Sequence, residues 1–466
     1  MPARGAPERP DETMKKKRKA GSRAGRGAPP VKIVFLGLGA VGSGMLICLS
    51  ELAERDAVPV RFVVFTTNPD RARDALFNAE RLFDRIEFVE APDFAPIFEP
   101  APPYDALLRG AAVLINAALP EFNGPTLELA VRLGAHAVDL ASDMYNEETE
   151  RTLAFPQYRH DAALRARGCA ALINLGVAPG MTDFLIGERM HELLAVDRKD
   201  LEVERIDLFL LEDIDSDSVI FSWSPIVALE ELAQRPRVVR DGALQALEPF
   251  ASSREYLFPH EPEPTRQYPL YQEELLSLHR AFPGVDAISV YTGGSEVELV
   301  KALFQLNLLS KRTLPERPDL TVEALVRSLL PGMKNPRRIE AYLRDGSIRR
   351  AHFAAAAEIR VSERVRNERR TVIETIGLSY LRYPGLLGSP YAGATYISYP
   401  AAVCAAILAW HALDYARTQR GARLAGVLTG EDLARILPRS RAHAIRRDLV
   451  AWDLDLFGGV RDASES

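Results

Sequence analysis

Cysteine is scarce in this chain. Three cysteines in 466 residues, Cys48, Cys169 and Cys404, are too few and too scattered for a disulfide framework or a zinc site. All three sit in apolar runs, which suits buried thiols in a reducing compartment, so a cytoplasmic location is expected. Eight histidines are dispersed without metal-ligand spacing, and no metal is expected. A G-x-S-x-G nucleophile elbow is missing, which removes one hydrolase class. Excess charge is also missing: a formal net charge of −6 gives no reason to expect nucleic acid as the main partner. The first 30 residues lack the apolar core of a secretory signal. What remains is 47% hydrophobic and 26% charged, the balance of an ordinary globular protein. The length is too great for one typical core, so two or three domains are expected.

Two stretches need separate treatment. Residues 1–29 are rich in Arg, Lys, Pro and Gly, bury almost nothing, and are expected to be a disordered basic tail. The "KKKRK" run within it offers at most a weak contribution to nucleic-acid binding. From Tyr383 to Leu413, 31 residues carry no acidic or basic side chain other than His411. That length would span a bilayer. Its first half, "YPGLLGSPYAGATYISYP", would leave unsatisfied backbone in lipid, so the reading is a loop and a buried helix rather than a membrane span.

The first ordered segment has a clear pattern. Val31–Phe35 is fit for a buried strand. Gly37, Gly39 and Gly42 follow in G-x-G-x-x-G spacing, and Met45, Leu46, Leu49 and Leu52 share a helical face. Strand, glycine turn and helix in that order suit a dinucleotide: backbone amides near Ala40 and Val41 can approach a pyrophosphate at a helix N-terminus. The second strand ends in Thr66, Thr67 and Asn68, with Arg71 just beyond and no carboxylate at its tip. A carboxylate there would hold ribose hydroxyls; Thr and Arg accept a 2′-phosphate, so NADP is favoured, with NAD left open by Asp70. Further α/β units place Asn116, Ala117 and Ala118 at one strand end, and Asp139, Ser142 and Asp143 at the next. The long run "ETERTLAFPQYRHDAALRARG" reads as one helix. "LINLGVAPGMTDFLIG" (172–187) then turns from an apolar strand through Val177, Ala178, Pro179 and Gly180 into a helix, with Thr182 as its cap and Ile186, Met190, Leu193 and Leu194 as its buried face.

"NLGVAPGMTDFLIGE", with "AVDLASD" before it and "GLGAVGSG" at the start, resembles the saccharopine dehydrogenase family. "FSWSPIVALEELA" is similar to that family's Trp-Ser-Pro segment. "VYTGGSEVELVKALFQLNLLSK" is similar to its Tyr-Pro-Gly segment, with Thr292 in place of the proline. The resemblance covers about residues 31–415. It implies a Rossmann-type doubly wound α/β domain with a second α+β substrate domain. It implies an NAD(P)-dependent oxidoreductase acting on a CH–NH bond between an amine or amino acid and an oxo acid or semialdehyde, and a homodimer. It also implies that the Ala178–Gly180 bend passes under the nicotinamide.

The expected division is a tail (1–29), a dinucleotide domain (30–180), a substrate and dimerisation domain (181–385), a returning loop and helix (386–420) and a C-terminal extension (421–466). Within the second part, "FASSREYLFPHEPEPTRQYPLYQEE" reads as a long connection and "RIEAYLR" as strand, while Ser295 and Glu298 form a capping-box pattern. Candidate acid/base groups are Asp139, Asp143 and Asp183; candidate carboxylate clamps are Arg254 and Arg382; Trp223 and Tyr291 are candidate pocket walls. Two alternatives stay open: a carboxynorspermidine or polyamine-type dehydrogenase, and a non-catalytic cofactor-binding regulator.

Overall fold

The computed structural model describes residues 29–100, 104–144, 147–195, 201–217, 219–220, 229, 231–329, 335–365, 368–418 and 424–463. The basic tail up to residue 28, and Trp223 with most of its Trp-Ser-Pro segment, lie outside the described residues.

Seven parallel strands form the first sheet, in the spatial order Gly426–Leu428, Ala170–Leu172, His136–Asp139, Ala111–Asn116, Val31–Leu36, Val60–Thr66, Ile86–Glu90. The strands are apolar runs because both faces are covered by helices. The chain order reverses direction between Val31–Leu36 and Ala111–Asn116, and a doubly wound sheet opens its ligand crevice at such a point. Helix Ala40–Arg55 packs beside helix Ser398–Thr418 so closely that a Cβ on Gly44 would stand 2.8 Å from the Ala402 Cβ. That second helix is buried from Ser398 to Ala412. No helix among the described residues is long and apolar enough to cross a membrane.

A second, mixed sheet of nine strands is built around Leu201–Ser216, which pairs with Ala287–Gly293 on one side and Ile348–Val365 on the other. Its two faces differ. Ile206, Leu208 and Leu210 join the main core, whereas Phe209, Leu211, Tyr291, Ala354 and Ala356 form a small cluster of their own. From Arg205 to Leu211, even positions of the central strand therefore face the main core and odd positions face away; a register shift at Glu204 reverses this for Leu201 and Val203.

Several local expectations change. The run 148–168 is divided among helix Glu147–Thr152, a 3₁₀ turn Pro156–His160 and helix Asp161–Arg167, because Pro156 cannot continue a helix. "RIEAYLR" lies in helix Pro336–Arg344, started by the Asn335 side chain accepting from the Arg337 amide at 3.0 Å. The proline-rich connection contains strands Arg254–Tyr256 and Thr265–Leu270. Ser295 makes no cap: its hydroxyl accepts from the Ile214 amide at 2.9 Å and ties the helix to the central strand. Leu194 is exposed. Residues 424–463 take part in both sheets. Gly426–Leu428 is the seventh parallel strand and Asp455–Asp462 pairs along Glu368–Tyr380.

Candidate active-site crevice

The first bend is open. Gly37 has φ +82°, and its α-carbon is pressed on Ala118, so a Cβ there would meet the Ala118 Cβ at 3.0 Å. Gly42 packs as tightly, at 2.9 Å from the Ala117 Cβ. Gly39 is exposed, and a Cβ on it would meet nothing within 4 Å. Helix Ala40–Arg55 starts there with no side-chain cap and no acidic residue in its first turn. Its leading amides and the positive end of its dipole are left for an anion. Ala117, Ala118, Ala141, Asp143 and Ala178 are exposed or half-buried beyond the carboxyl ends of the neighbouring strands.

At the second strand's tip the Thr66 hydroxyl is spent on the turn, bonding the Asn68 amide and carbonyl at 3.3 Å each. Asn68 caps helix Pro69–Asp74 through the Arg71 amide. Thr67 and Arg71 are exposed, whereas Arg73 is paired with Asp70 at 3.1 Å. Asn116 is structural: it donates to Leu119 O and Asn123 Oδ1 and accepts from the Ala118 amide.

The second bend is closed. The Ala178–Pro179 peptide is cis, and Gly180 has φ +113°. A Cβ on Gly180 would stand 2.5 Å from the Gly176 nitrogen. The Asp183 carboxyl, in the first turn of helix Met181–Ala195, reaches back to accept from the Gly180 amide at 2.8 Å, a capping contact made by Asp183 rather than by Thr182. Helix Gly430–Ile436 presses on this bend, because a Cβ on Gly430 would meet Gly180 O at 2.3 Å. Val177, Pro179 and Gly180 are buried, and Ala178 is half-buried.

Beneath that bend lies an unanticipated feature. Asp183, Glu273, Glu274 and Glu431 converge from three helices, with Asp139 beside them, and all five are buried. Asp139 accepts from the Asn174 amide at 2.8 Å and Gln157 Nε2 at 3.2 Å; Gln157 also donates to Ser142 Oγ, and Glu273 accepts from the Ser142 amide at 3.0 Å. Burial pushes the Asp139 carboxyl up to about 7, against the pull of those two donors. Burial, then the neighbouring carboxyls, hold Asp183 and Glu274 well above the usual carboxylate range; Glu273 and Glu431 are raised by burial as well. Burial thus disfavours the charged form of all five. No group of His, Cys, Asp and Glu with metal-binding geometry exists among the described residues. Glu273 and Glu274 read in sequence as ordinary first-turn helix acids, and nothing local marks their burial.

Of the three candidate acids, Asp139 and Asp183 are sealed and Asp143 is exposed at the mouth. The substrate candidates are not brought together. Arg382 is on the surface, 2.5 Å from Asp453. Arg254 and Tyr291 lie on the outer face of the second sheet. The inner face presents acids instead. Burial, then Glu296 and Glu231, push Glu212 up to about 8, and Glu296 accepts from the Tyr396 hydroxyl at 2.7 Å just before helix Ser398–Thr418.

A doubly wound parallel sheet with an open glycine cradle, joined to a mixed second sheet, defines the class: the saccharopine dehydrogenase fold. The particular relatives are as follows. Apo saccharopine dehydrogenase (L-Glu forming) from Saccharomyces cerevisiae superposes with a TM-score of 0.61 at 15% identity, covering 93% of this chain and all (100%) of that one. Carboxyaminopropylagmatine dehydrogenase from Synechocystis sp. is 22% identical over 267 residues, 54% of this chain and 59% of that protein. The matched segment thus spans about three fifths of that curated relative. No protein-family model matches the chain.

Proposed function

We propose that this chain is an NAD(P)-dependent oxidoreductase that makes or cleaves a CH–NH bond, joining an amine to an oxo acid or semialdehyde. The observation that carries the reading is the unfilled space over Gly39 at the uncapped N-terminus of helix Ala40–Arg55, set at the reversal point of the parallel sheet. These residues fit a dinucleotide: the helix amides hold its phosphates, and Ala117, Ala118 and Ala178 leave width for a flat ring. The bound nicotinamide would supply or accept the hydride at the C=N carbon. Around it the chain binds, orients and excludes water. The inner face of the second sheet covers the crevice. Asp143, the exposed one of the three candidate acids, holds or passes the proton at the substrate nitrogen. Thr67 and Arg71 take a 2′-phosphate, which supports NADP over NAD. The chain acts as a homodimer in the cytoplasm on a small-molecule amine.

A specific observation favours the polyamine-type alternative. Glu212 and Glu296 face inward, while the two arginines picked from the sequence as clamps do not. Acids there suit a cationic substrate end better than a second carboxylate. The test follows absorbance of NADPH or NADH with the purified protein, a panel of amines (lysine, linear polyamines, agmatine) and a panel of oxo acids and semialdehydes. Oxidation of the cofactor with a cationic amine supports the reading. Binding of cofactor without consumption across the whole panel would replace it with the regulator alternative.

A further inference from the structure

We propose that the outer face of the second sheet holds a small organic carboxylate in a cavity separate from the nucleotide crevice. The cavity is about 300 Å³ and is lined by Arg205, Asp207, Arg254, Glu358, Arg360 and Ile373. That volume suits a molecule of amino-acid or short oxo-acid size. Its residues come from four strands of one sheet. Arg205 and Asp207 occupy odd positions of the central strand, and Glu358 and Arg360 are paired opposite them. They therefore share the face of Phe209 and Tyr291, which points away from the main core.

The two central guanidiniums are fixed before any ligand arrives. Arg205 Nε and Arg254 Nη1 both donate to the same oxygen of Asp207, at 2.6 Å each. Arg205 Nη2 also reaches the Tyr291 hydroxyl at 3.2 Å. Arg254 lies over the rings of Phe209 and Tyr291, with its guanidinium carbon 5.2 and 5.5 Å from their centres. Asp207 is buried, yet the two arginine side chains are 35% and 42% exposed. One carboxylate and two aromatic rings thus orient two forks whose remaining N–H groups open to the cavity. Little rotamer freedom is left to lose on binding.

The charges decide the sign of the ligand. Glu358 is paired with Arg461 at 2.8 Å and Arg360 with Glu204 at 3.1 Å, so those four cancel. Arg205 and Arg254 share the single charge of Asp207, which leaves one positive charge in excess. A planar carboxylate matches the fork geometry and neutralises that excess. An amino acid and an oxo acid share this group. Glu358, on the cavity wall, would favour the amino acid through its ammonium.

The experiment is isothermal titration calorimetry on the full chain with sodium L-glutamate and with sodium 2-oxoglutarate, each against sodium chloride at equal ionic strength. The proposal expects one carboxylate per chain, unchanged by saturating NADPH. Its affinity falls about tenfold or more in Arg254→Met and in Arg205→Met. Arg254→Lys, which keeps the charge but not the fork, falls in between, and it gives the reading if the methionine variants do not fold. Tighter binding of glutamate than of 2-oxoglutarate assigns the site to amino acids, and the reverse order assigns it to oxo acids. Equal affinity in wild type and all three variants would overturn the proposal, as would heat no larger than that of chloride. So would an Arg254 substitution that changes the oligomeric state without changing the titration, since the face would then be a subunit contact. Failure of NADPH to bind would sink the crevice reading and leave this site standing.

Discussion

Two glycine-rich bends sit at the carboxyl ends of parallel strands of one sheet, with two strands between them, and they do opposite jobs. At Gly37–Gly42 the outer glycines are pressed on Ala117 and Ala118 while Gly39 faces open space. At Gly176–Gly180 the glycines are pressed on each other, and Gly430 closes the bend from behind. The sequence signal, glycine after an apolar strand, is the same in both. The difference is which side of the backbone the rest of the fold occupies. An open glycine is room for a ligand, whereas a packed glycine is room for another part of the chain.

The largest expected effect comes from breaking the closed bend. Gly180→Ala adds a Cβ 2.5 Å from a backbone nitrogen at φ +113°. The cost is about 3 kcal/mol or more, read as a fall in the denaturant midpoint. A midpoint unchanged within error would mean the bend is looser than described.

The next concerns the buried acids behind that bend, whose protonated forms the fold favours. Their folded-state acidities are weaker than in the unfolded chain, so the folded protein holds more protons. Its stability is full below the ordinary carboxylate range and falls as pH rises towards the shifted values. Asp139, at about 7, sets part of the window between about pH 4 and pH 7. Glu274→Gln removes one such group without changing its shape. Unfolding titrations at pH 5 and pH 8 should then show a smaller loss than in wild type, by roughly 1–2 kcal/mol. An identical loss would show that Glu274 is not kept neutral by the fold.

The open bend is sharpened at its far end. Arg71→Ala should lower the NADPH-to-NADH affinity ratio by about tenfold, from loss of a charged hydrogen bond near 1.4 kcal/mol. An unchanged ratio removes Arg71 from the cofactor site. The smallest effect is expected far from both bends. Arg382→Ala breaks an exposed pair with Asp453 and should change stability by no more than about 0.5 kcal/mol. A loss above about 2 kcal/mol would mean that this pair anchors the C-terminal strand.

Five of the seven parallel strands were legible because they are short, mostly apolar runs; Ile86–Glu90, with Glu87 and Glu90, and the three-residue Gly426–Leu428 carry too weak a pattern to be read. The glycine cradle was legible because it follows such an apolar run. The second sheet was less so. Its strands at 254–256 and 265–270 are short, polar and set in a proline-rich stretch, and tertiary pairing rather than local propensity makes them strands. Arg254 and Tyr291 were read as substrate contacts, but their face depends on the alternation of a strand whose neighbours are remote in sequence. Glu273, Glu274 and Glu431 carry no local mark of burial, because helix-start acids are usually solvated. Trp223 lies outside the described residues.

The central claim is that Gly39 is kept bare for a dinucleotide, and Gly39→Val tests it most directly. A Cβ there meets no atom within 4 Å, so the variant should fold with its thermal midpoint nearly unchanged. Fluorescence titration should show NADPH and NADH both bound at least tenfold more weakly than by wild type. Equal binding by the two proteins would contradict the account, because the space over Gly39 would then hold nothing.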